Sequence, residues 1–169
     1  MVAIRMLFPA DAAAYHAARN QGLKECPDAF TTSYEEAVAT PLEVIAKRIS
    51  GNGDDFVLGA FDGNNELVGY AGFQREGRVK TRHKGKIVGM YVLPEQRGAG
   101  LGRRLISDLI ARVRTIEGME MLALTVTHSN AGARNLYLSE GFVSFGVEPN
   151  AIKVDGIFYA KEHMAFALT

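Results

Sequence analysis

A chain of 169 residues is long enough to bury roughly 70% of the surface that its unfolded form exposes, so it can hold a core without staples. Its 47% hydrophobic and 22% charged content is ordinary for a globular protein and argues against disorder. Nineteen basic residues cancel nineteen acidic ones, which removes the broad positive field of a nucleic-acid binder, and a lone cysteine, Cys26, leaves no internal disulfide or multi-cysteine zinc site.

Arg5, Pro9 and Asp11 interrupt the N-terminal segment before it can resemble a signal peptide. No apolar run approaches the roughly 18 residues that a membrane span needs. With Cys26 suited to a reducing compartment, the expected location is cytoplasmic, without membrane or nucleic-acid partners.

Val2 to Leu7 reads as a first strand, and Pro9-Ala10-Asp11 opens an Ala-rich helix reaching about Lys24. Cys26-Pro27-Asp28 ends it. Leu42, Ile45, Ala46 and Ile49 share one face of a second helix from about Pro41, stopped by the Gly51-Asn52-Gly53 turn. Phe56 to Phe61 and Leu67 to Phe73 form a hairpin across Asp62-Gly63-Asn64-Asn65, residues that tolerate positive φ. A charged connection, Arg75 to Lys86, leads to a fourth strand, Ile87 to Leu93, which ends at Pro94. Leu105, Ile106, Leu109, Ile110, Val113 and Ile116 then recur at helical spacing from Leu101, opposite Arg103, Arg104, Asp108, Arg112 and Arg114. Met121 to Thr127 is a fifth strand, and Ala131 to Glu140 a short helix closed by Gly141. Phe142 to Val147 and Ile157 to Leu168 supply the last strands. Hairpins mixed with strand-helix-strand units predict one mixed sheet with helices on its faces, over residues 1–169 as one domain.

The segment richest in chemistry is Met90-Tyr91-Val92-Leu93-Pro94-Glu95-Gln96-Arg97-Gly98-Ala99-Gly100-Leu101-Gly102-Arg103. A strand, a glycine-rich turn and a helix N-terminus in succession gather backbone N–H groups and the positive end of a helix dipole around one small volume. Such a volume binds phosphate. The dinucleotide fingerprint would need glycine where Arg103 stands, and the P-loop needs a Gly-Lys-Ser or Gly-Lys-Thr ending that is absent.

Arg97-Gly98-Ala99-Gly100-Leu101-Gly102 resembles instead the R-G-x-G-x-G loop of the GNAT superfamily of N-acetyltransferases. A second segment supports the likeness: Asn130-Ala131-Gly132-Ala133-Arg134-Asn135-Leu136-Tyr137, followed by Gly141-Phe142, looks like that family's N-x-x-A-x-x-L-Y and G-F signature. The resemblance covers nearly the whole chain. It implies an α/β (α+β) fold with a mostly antiparallel mixed sheet of about seven strands flanked by about four helices, split between strands 4 and 5 where the cofactor lies. It implies acetyl-CoA as cosubstrate, no metal, and direct transfer of the acetyl group to a primary amine of a small molecule, a protein N-terminus or a lysine. A bulge at Gly89 would free the backbone of Met90, Tyr91 and Val92 to pair with the pantetheine arm. Residues 97–103 would hold the phosphates, and Asn130 and Ala133 would border the arm. Tyr137 would serve as general acid to the departing thiolate.

A base to deprotonate the amine is not evident, because Lys86 to Leu93 contains no acid or histidine. Glu35, Glu36, Glu76 and His128 are the candidates. A non-catalytic acyl-CoA-binding or sensor domain is therefore the alternative reading. His16, His83 and His163 have no paired metal spacing. The cluster Arg75, Arg78, Lys80, Arg82, Lys84 and Lys86 reads as a solvated connection. The region Thr31 to Gly53 and the hairpin Pro149 to Gly156 are expected to choose the acceptor, and exposed sheet edges to pair into a homodimer.

Overall fold

The computed structural model describes residues 1–51 and 53–169, so Asn52 of the expected Gly51-Asn52-Gly53 turn lies outside the described residues. Seven strands form one sheet: β1 (Ala3–Met6), β2 (Phe56–Phe61), β3 (Leu67–Arg75), β4 (Lys84–Val92), β5 (Met121–Thr127), β6 (Val143–Val154) and β7 (Ile157–Ala167), in the spatial order β1-β2-β3-β4-β5-β7-β6. Every neighbouring pair is antiparallel except β4 and β5. The mixed, mostly antiparallel sheet expected from the sequence is the one found.

Among the described residues five α-helices cover it: α1 (Ala12–Glu25), α2 (Tyr34–Val38), α3 (Leu42–Ile49), α4 (Leu101–Val113) and α5 (Ala131–Ser139). The extra one relative to the expected four is α2. Its one-and-a-half turns carry too little apolar periodicity to read in sequence, and it is held locally by a capping box in which Ser33 accepts from the Glu36 N–H while the Glu36 carboxylate accepts from the Ser33 N–H at 2.8 Å. At α1, Asp11 accepts from the Phe8 N–H at 2.8 Å and takes both guanidinium nitrogens of Arg5, at 2.8 and 2.9 Å, fixing the chain's exit from β1.

Helix α4 follows the spacing of its apolar residues, with Leu105, Ile106, Leu109 and Val113 fully buried against the sheet. They belong to the larger core, with Phe73, Leu122, Phe142 and Met164. A smaller core on the opposite face packs Ile45 and Ile49 of α3 and Ala12 and Ala18 of α1 against Tyr70 and Tyr91. Helix α1 runs so close over Tyr91 that a Cβ at Gly22 would stand 2.9 Å from its ring. The sheet is thus covered on both faces, which is what lets β3 bury every residue from Leu67 to Phe73.

Two boundaries differ from expectation and both matter. The stretch assigned to a charged connection contributes the first three residues of β4, and Lys84, Gly85 and Lys86 are the ones that pair with Met121, Leu122 and Ala123 of β5. Beyond Lys86 the two strands have no pairing, so the split between strands 4 and 5 is confirmed at that point. Alternating lysines hid this strand because Lys86 finds its partner laterally, in Glu76 at 2.7 Å. At the other end β6 runs to Val154, making a long hairpin with β7.

Leu109 is fully buried at the centre of the α4 contact. Leu109→Ala is expected to cost about 2–5 kcal/mol of unfolding free energy with an unchanged denaturant slope, as measured by urea titration.

Candidate active site

The parting of β4 from β5 is sharpened by a bulge in β4. Tyr70 of β3 pairs with Tyr91 and Gly72 with Val88, leaving one extra residue on β4 at Gly89–Met90. Gly89 sits at φ 62°, a left-handed conformation that a side chain disfavours. From here to Val92 the backbone groups facing β5 have no partner strand, so they are free to pair with an extended ligand.

Just beyond, Pro94 to Gln96 form a single 3₁₀ turn and the loop enters α4 through Gly98 at φ 79° and Gly100 at φ 78°. A Cβ at either position would meet nothing within 4 Å, so the backbone here is open to close approach as well as left-handed. The first N–H groups of α4 point out of its end without intrahelical acceptors. The loop is braced from behind: Arg97 donates through Nε to the Val92 carbonyl at 2.9 Å and through a terminal nitrogen to Glu25 at 2.8 Å, and Tyr91 donates to the same carboxylate at 2.7 Å. Both contacts hold the Glu25 carboxyl below its usual range, the Tyr91 hydroxyl first. Arg103 is drawn to Glu140 at 2.6 Å.

A cavity of about 540 Å³ opens along this surface, bounded by Met90, Tyr91, Val92, Arg97, Gly98, Gly100, Leu101, Gly102 and Arg103 on one side and by Asn130, Ala133 and Tyr137 on the other. Of the residues predicted to touch a cofactor, only Ala99 is absent from this wall. Asn130 accepts from the Ala133 N–H at 3.2 Å and so caps α5 while facing the cavity. Tyr137 is buried, its ring edge-on to Phe142, and its hydroxyl donates to the Met90 sulfur at 3.4 Å. Burial pushes this phenol up to about 12. Among the described residues no carboxylate bounds the cavity, which runs from the glycine loop to Tyr137.

A second cavity, about 620 Å³, lies on the α1–α3 face and is bounded by Tyr15, Arg19, Thr32, Arg48, Val88, Gly89 and Lys161 among others. A narrow space of about 80 Å³ lies at the split and shares wall residues with both, touching Gly89, Met90, Thr125, Asn130 and Tyr137. Ala29 and Phe30 border all three. Neither residue had a signal in the sequence. They are held there by Thr127, whose hydroxyl donates to the Asp28 carbonyl at 2.5 Å, and by Lys161, 3.4 Å from the Ala29 carbonyl.

The four candidate bases are placed elsewhere. Glu36 is spent in the α2 cap and Glu76 in its pair with Lys86. Glu35 lies on a different cavity, beside the tip of the β6–β7 hairpin. His128 is exposed and sits 3.3 Å from Glu162. Asp55, which no local motif marks, is the one carboxylate on the second cavity among the described residues, and one of its oxygens accepts from the Arg75 N–H at 2.8 Å. Among the described residues no cluster of three or more metal-ligating side chains occurs, and no helix is long and apolar enough to cross a membrane.

Two cavities meeting through a parted sheet, with a glycine loop at a helix N-terminus, define the acyl-CoA-dependent transferase architecture. The chain belongs to the acetyltransferase (GNAT) family, whose sequence model matches residues 14–142. It is 32% identical over 94 residues to an L-methionine sulfoximine/L-methionine sulfone acetyltransferase of Pseudomonas paraeruginosa, a match spanning 55% of this chain and 54% of that enzyme. The fold is shared with a GNAT-family acetyltransferase of Streptococcus pneumoniae (TM-score 0.87, 23% identity, 99% of each chain). It is shared also with yncA of Salmonella typhimurium, solved with its cofactor acetyl-CoA (TM-score 0.81, 25% identity, 100% of this chain and 95% of that one).

Glu162 keys α5 to the sheet. Only 2% of its side chain is exposed, and Arg134 donates to it at 2.7 Å. Arg134 is the largest influence holding its carboxyl below the usual range. A depressed carboxyl stabilises the fold above its unfolded value, about 4.3, and the benefit is lost as pH falls through the folded value. Arg134→Met is therefore expected to cost about 3 kcal/mol at pH 7, and the difference from wild type should shrink below pH 4 in parallel denaturation curves.

Proposed function

We propose that the chain transfers the acetyl group of acetyl-CoA to the amine of a small molecule by direct attack. The observation that carries the reading is the meeting of two cavities, on opposite faces of the sheet, at the gap beside Tyr137. Acetyl-CoA supplies an activated thioester. The glycine loop from Arg97 to Gly102 and the α4 N-terminus would hold its pyrophosphate, and the unpaired backbone of Met90, Tyr91 and Val92 would align its arm. Asn130 and Ala133 would border that arm. A backbone N–H near Met90 would stabilise the negative charge that develops on the carbonyl oxygen, while the Tyr137 hydroxyl would face the departing sulfur. With both reactants held at the gap, proximity supplies much of the rate and no covalent enzyme intermediate is required.

The acceptor cavity is closed in by Phe30, Ile45 and Ile49, which suits a small amine better than a folded protein surface. The Pseudomonas relative, named for two small amino-acid sulfur compounds, supports the same choice. Glu36, Glu76 and His128 are occupied and Glu35 borders another space, so we assign removal of the amine proton to water in the gap. We place the activity in the cytoplasm on the free thiol Cys26, and retain a homodimer through the β6 edge, where Val143, Phe145 and Val147 are exposed.

Acetyl-CoA should raise the melting temperature where ATP and NAD do not, as a ligand confined to the folded state does. No shift at saturating acetyl-CoA would remove the reading. With an amine that is turned over, Tyr137→Phe should lower kcat about 10²-fold in a CoA-thiol release assay without weakening acetyl-CoA binding. Unchanged turnover would remove Tyr137 from the mechanism. With water as proton acceptor, kcat/KM should climb with pH until the acceptor amine's own pKa is reached. A plateau well below it would identify an enzyme base.

A further inference from the structure

The acceptor cavity carries an uncompensated positive charge. Arg19 of α1, Lys47 and Arg48 of α3 and Lys161 of β7 converge on it, against the single carboxylate of Asp55. Among the described residues, none of the four cations has an acid within ion-pair distance; the ion pairs of the chain lie elsewhere. Arg19 has only a long hydrogen bond to the Thr32 hydroxyl, 3.3 Å, and Lys161 only the Ala29 carbonyl at 3.4 Å. Lys47 and Arg48 are exposed and Arg19 is half-buried, so water meets part of their charge; in a chain whose formal charges sum to zero, they still form a local concentration of cations around one cavity.

Lys161 is the telling member. It is 6% exposed, and burial lowers its pKa; Asp28 and Glu148 act on it in the opposite direction without forming an ion pair with it. A buried ammonium without a counter-ion is costly, and such groups are normally paired. Solvated surface lysines need no such explanation, but a buried one beside a cavity does. The cofactor's phosphates do not supply the missing charge, since their cradle is on the other face and the two large cavities share only Ala29 and Phe30.

We infer that Arg19, Arg48 and Lys161 select an acceptor whose amine is accompanied by an anionic group, a carboxylate or a phosphonate, which completes their charge. This rests on the acetyl-transfer reading for the identity of the amine but not for the anion site. The guanidinium forks of Arg19 and Arg48 suit a two-oxygen anion, while Lys161, nearest the gap-bordering Ala29, offers a point charge. A neutral amine leaves all of them unpaired, and a polyamine meets repulsion.

The test measures binding without turnover. N-acetyl derivatives of alanine, methionine and glutamate, each as free acid, as α-amide and as phosphonic acid analogue, are titrated calorimetrically into the full chain loaded with CoA. For at least one side chain the acid or the phosphonate should bind tenfold or more tightly than the amide. Arg48→Ala and Arg19→Ala should each cut that preference below about threefold while acetyl-CoA still raises the melting temperature. Whether carboxylate or phosphonate binds tighter decides the source of the anion. Acids and phosphonates no tighter than amides in every series, or no binding in any, overturn the inference. Anion preference without CoA-thiol release from any amine would uphold this site and overturn acetyl transfer. Thiol release with acid and amide at parity would do the reverse.

Discussion

The hydrogen-bonded contact between β4 and β5 lasts three residues and then stops, and the site depends on that stop. A continuous ladder would satisfy the backbone of Ile87 to Val92 and leave neither a slot for an extended ligand nor a passage between the faces. The Lys84–Lys86 to Met121–Ala123 pairing fixes the hinge of the opening, and the bulge at Gly89 turns the remaining strand away. Unpaired backbone groups in a sheet interior cost free energy unless water or a ligand meets them. The sheet therefore carries its own demand for a partner, directed at the place where the glycine loop presents its N–H groups.

What keeps the opening from collapsing is a bridge from the N-terminal half. The segment after α1 crosses the split and is tied to the far side by Thr127 and Lys161, while Glu25, at the end of α1, gathers Tyr91 and Arg97 from the near side. These ties put Ala29 and Phe30 where the cavities meet. They also engage Arg97 at the base of the loop. Its guanidinium spans Glu25 and the Val92 carbonyl, which braces the loop at the entrance to α4.

Elements with strong periodicity or turn chemistry were legible in the sequence: α4 from its apolar spacing, the β2–β3 hairpin from its Asp-Gly-Asn-Asn turn, and the loop and α5 signatures through resemblance. What could not be read was set by contacts distant in sequence. Lys84 to Lys86 looks like a solvated run because its alternation of charge is satisfied by Glu76 and by a strand over thirty residues away. Arg19, Asp55 and Lys161 come from three separate parts of the chain, so no local pattern announces the second cavity. The candidate bases fell out because a carboxylate's partners decide whether it is available: Glu76 meets Lys86 across the β3–β4 pair, whereas the Ser33-Tyr34-Glu35-Glu36 capping box that occupies Glu36 is local and was legible in the sequence.

The proton inventory of the gap follows from these placements. Burial holds the Tyr137 phenol at about 12, whereas an alkyl thiol loses its proton at about 8.5. In the proposed reaction, full transfer from Tyr137 to a departing thiolate would thus run uphill by about 3.5 pK units, so the phenol would act best by donating a strong hydrogen bond to the developing charge while keeping its proton. In that reaction the attacking amine, which must shed a proton in any case, would be one source of the proton that finally neutralises the sulfur. A site arranged this way needs no buried carboxylate to store a proton between the two events, only water in the gap to carry it across. That is consistent with the placement of Glu35, Glu36, Glu76 and His128 in a cap, ion pairs or another cavity.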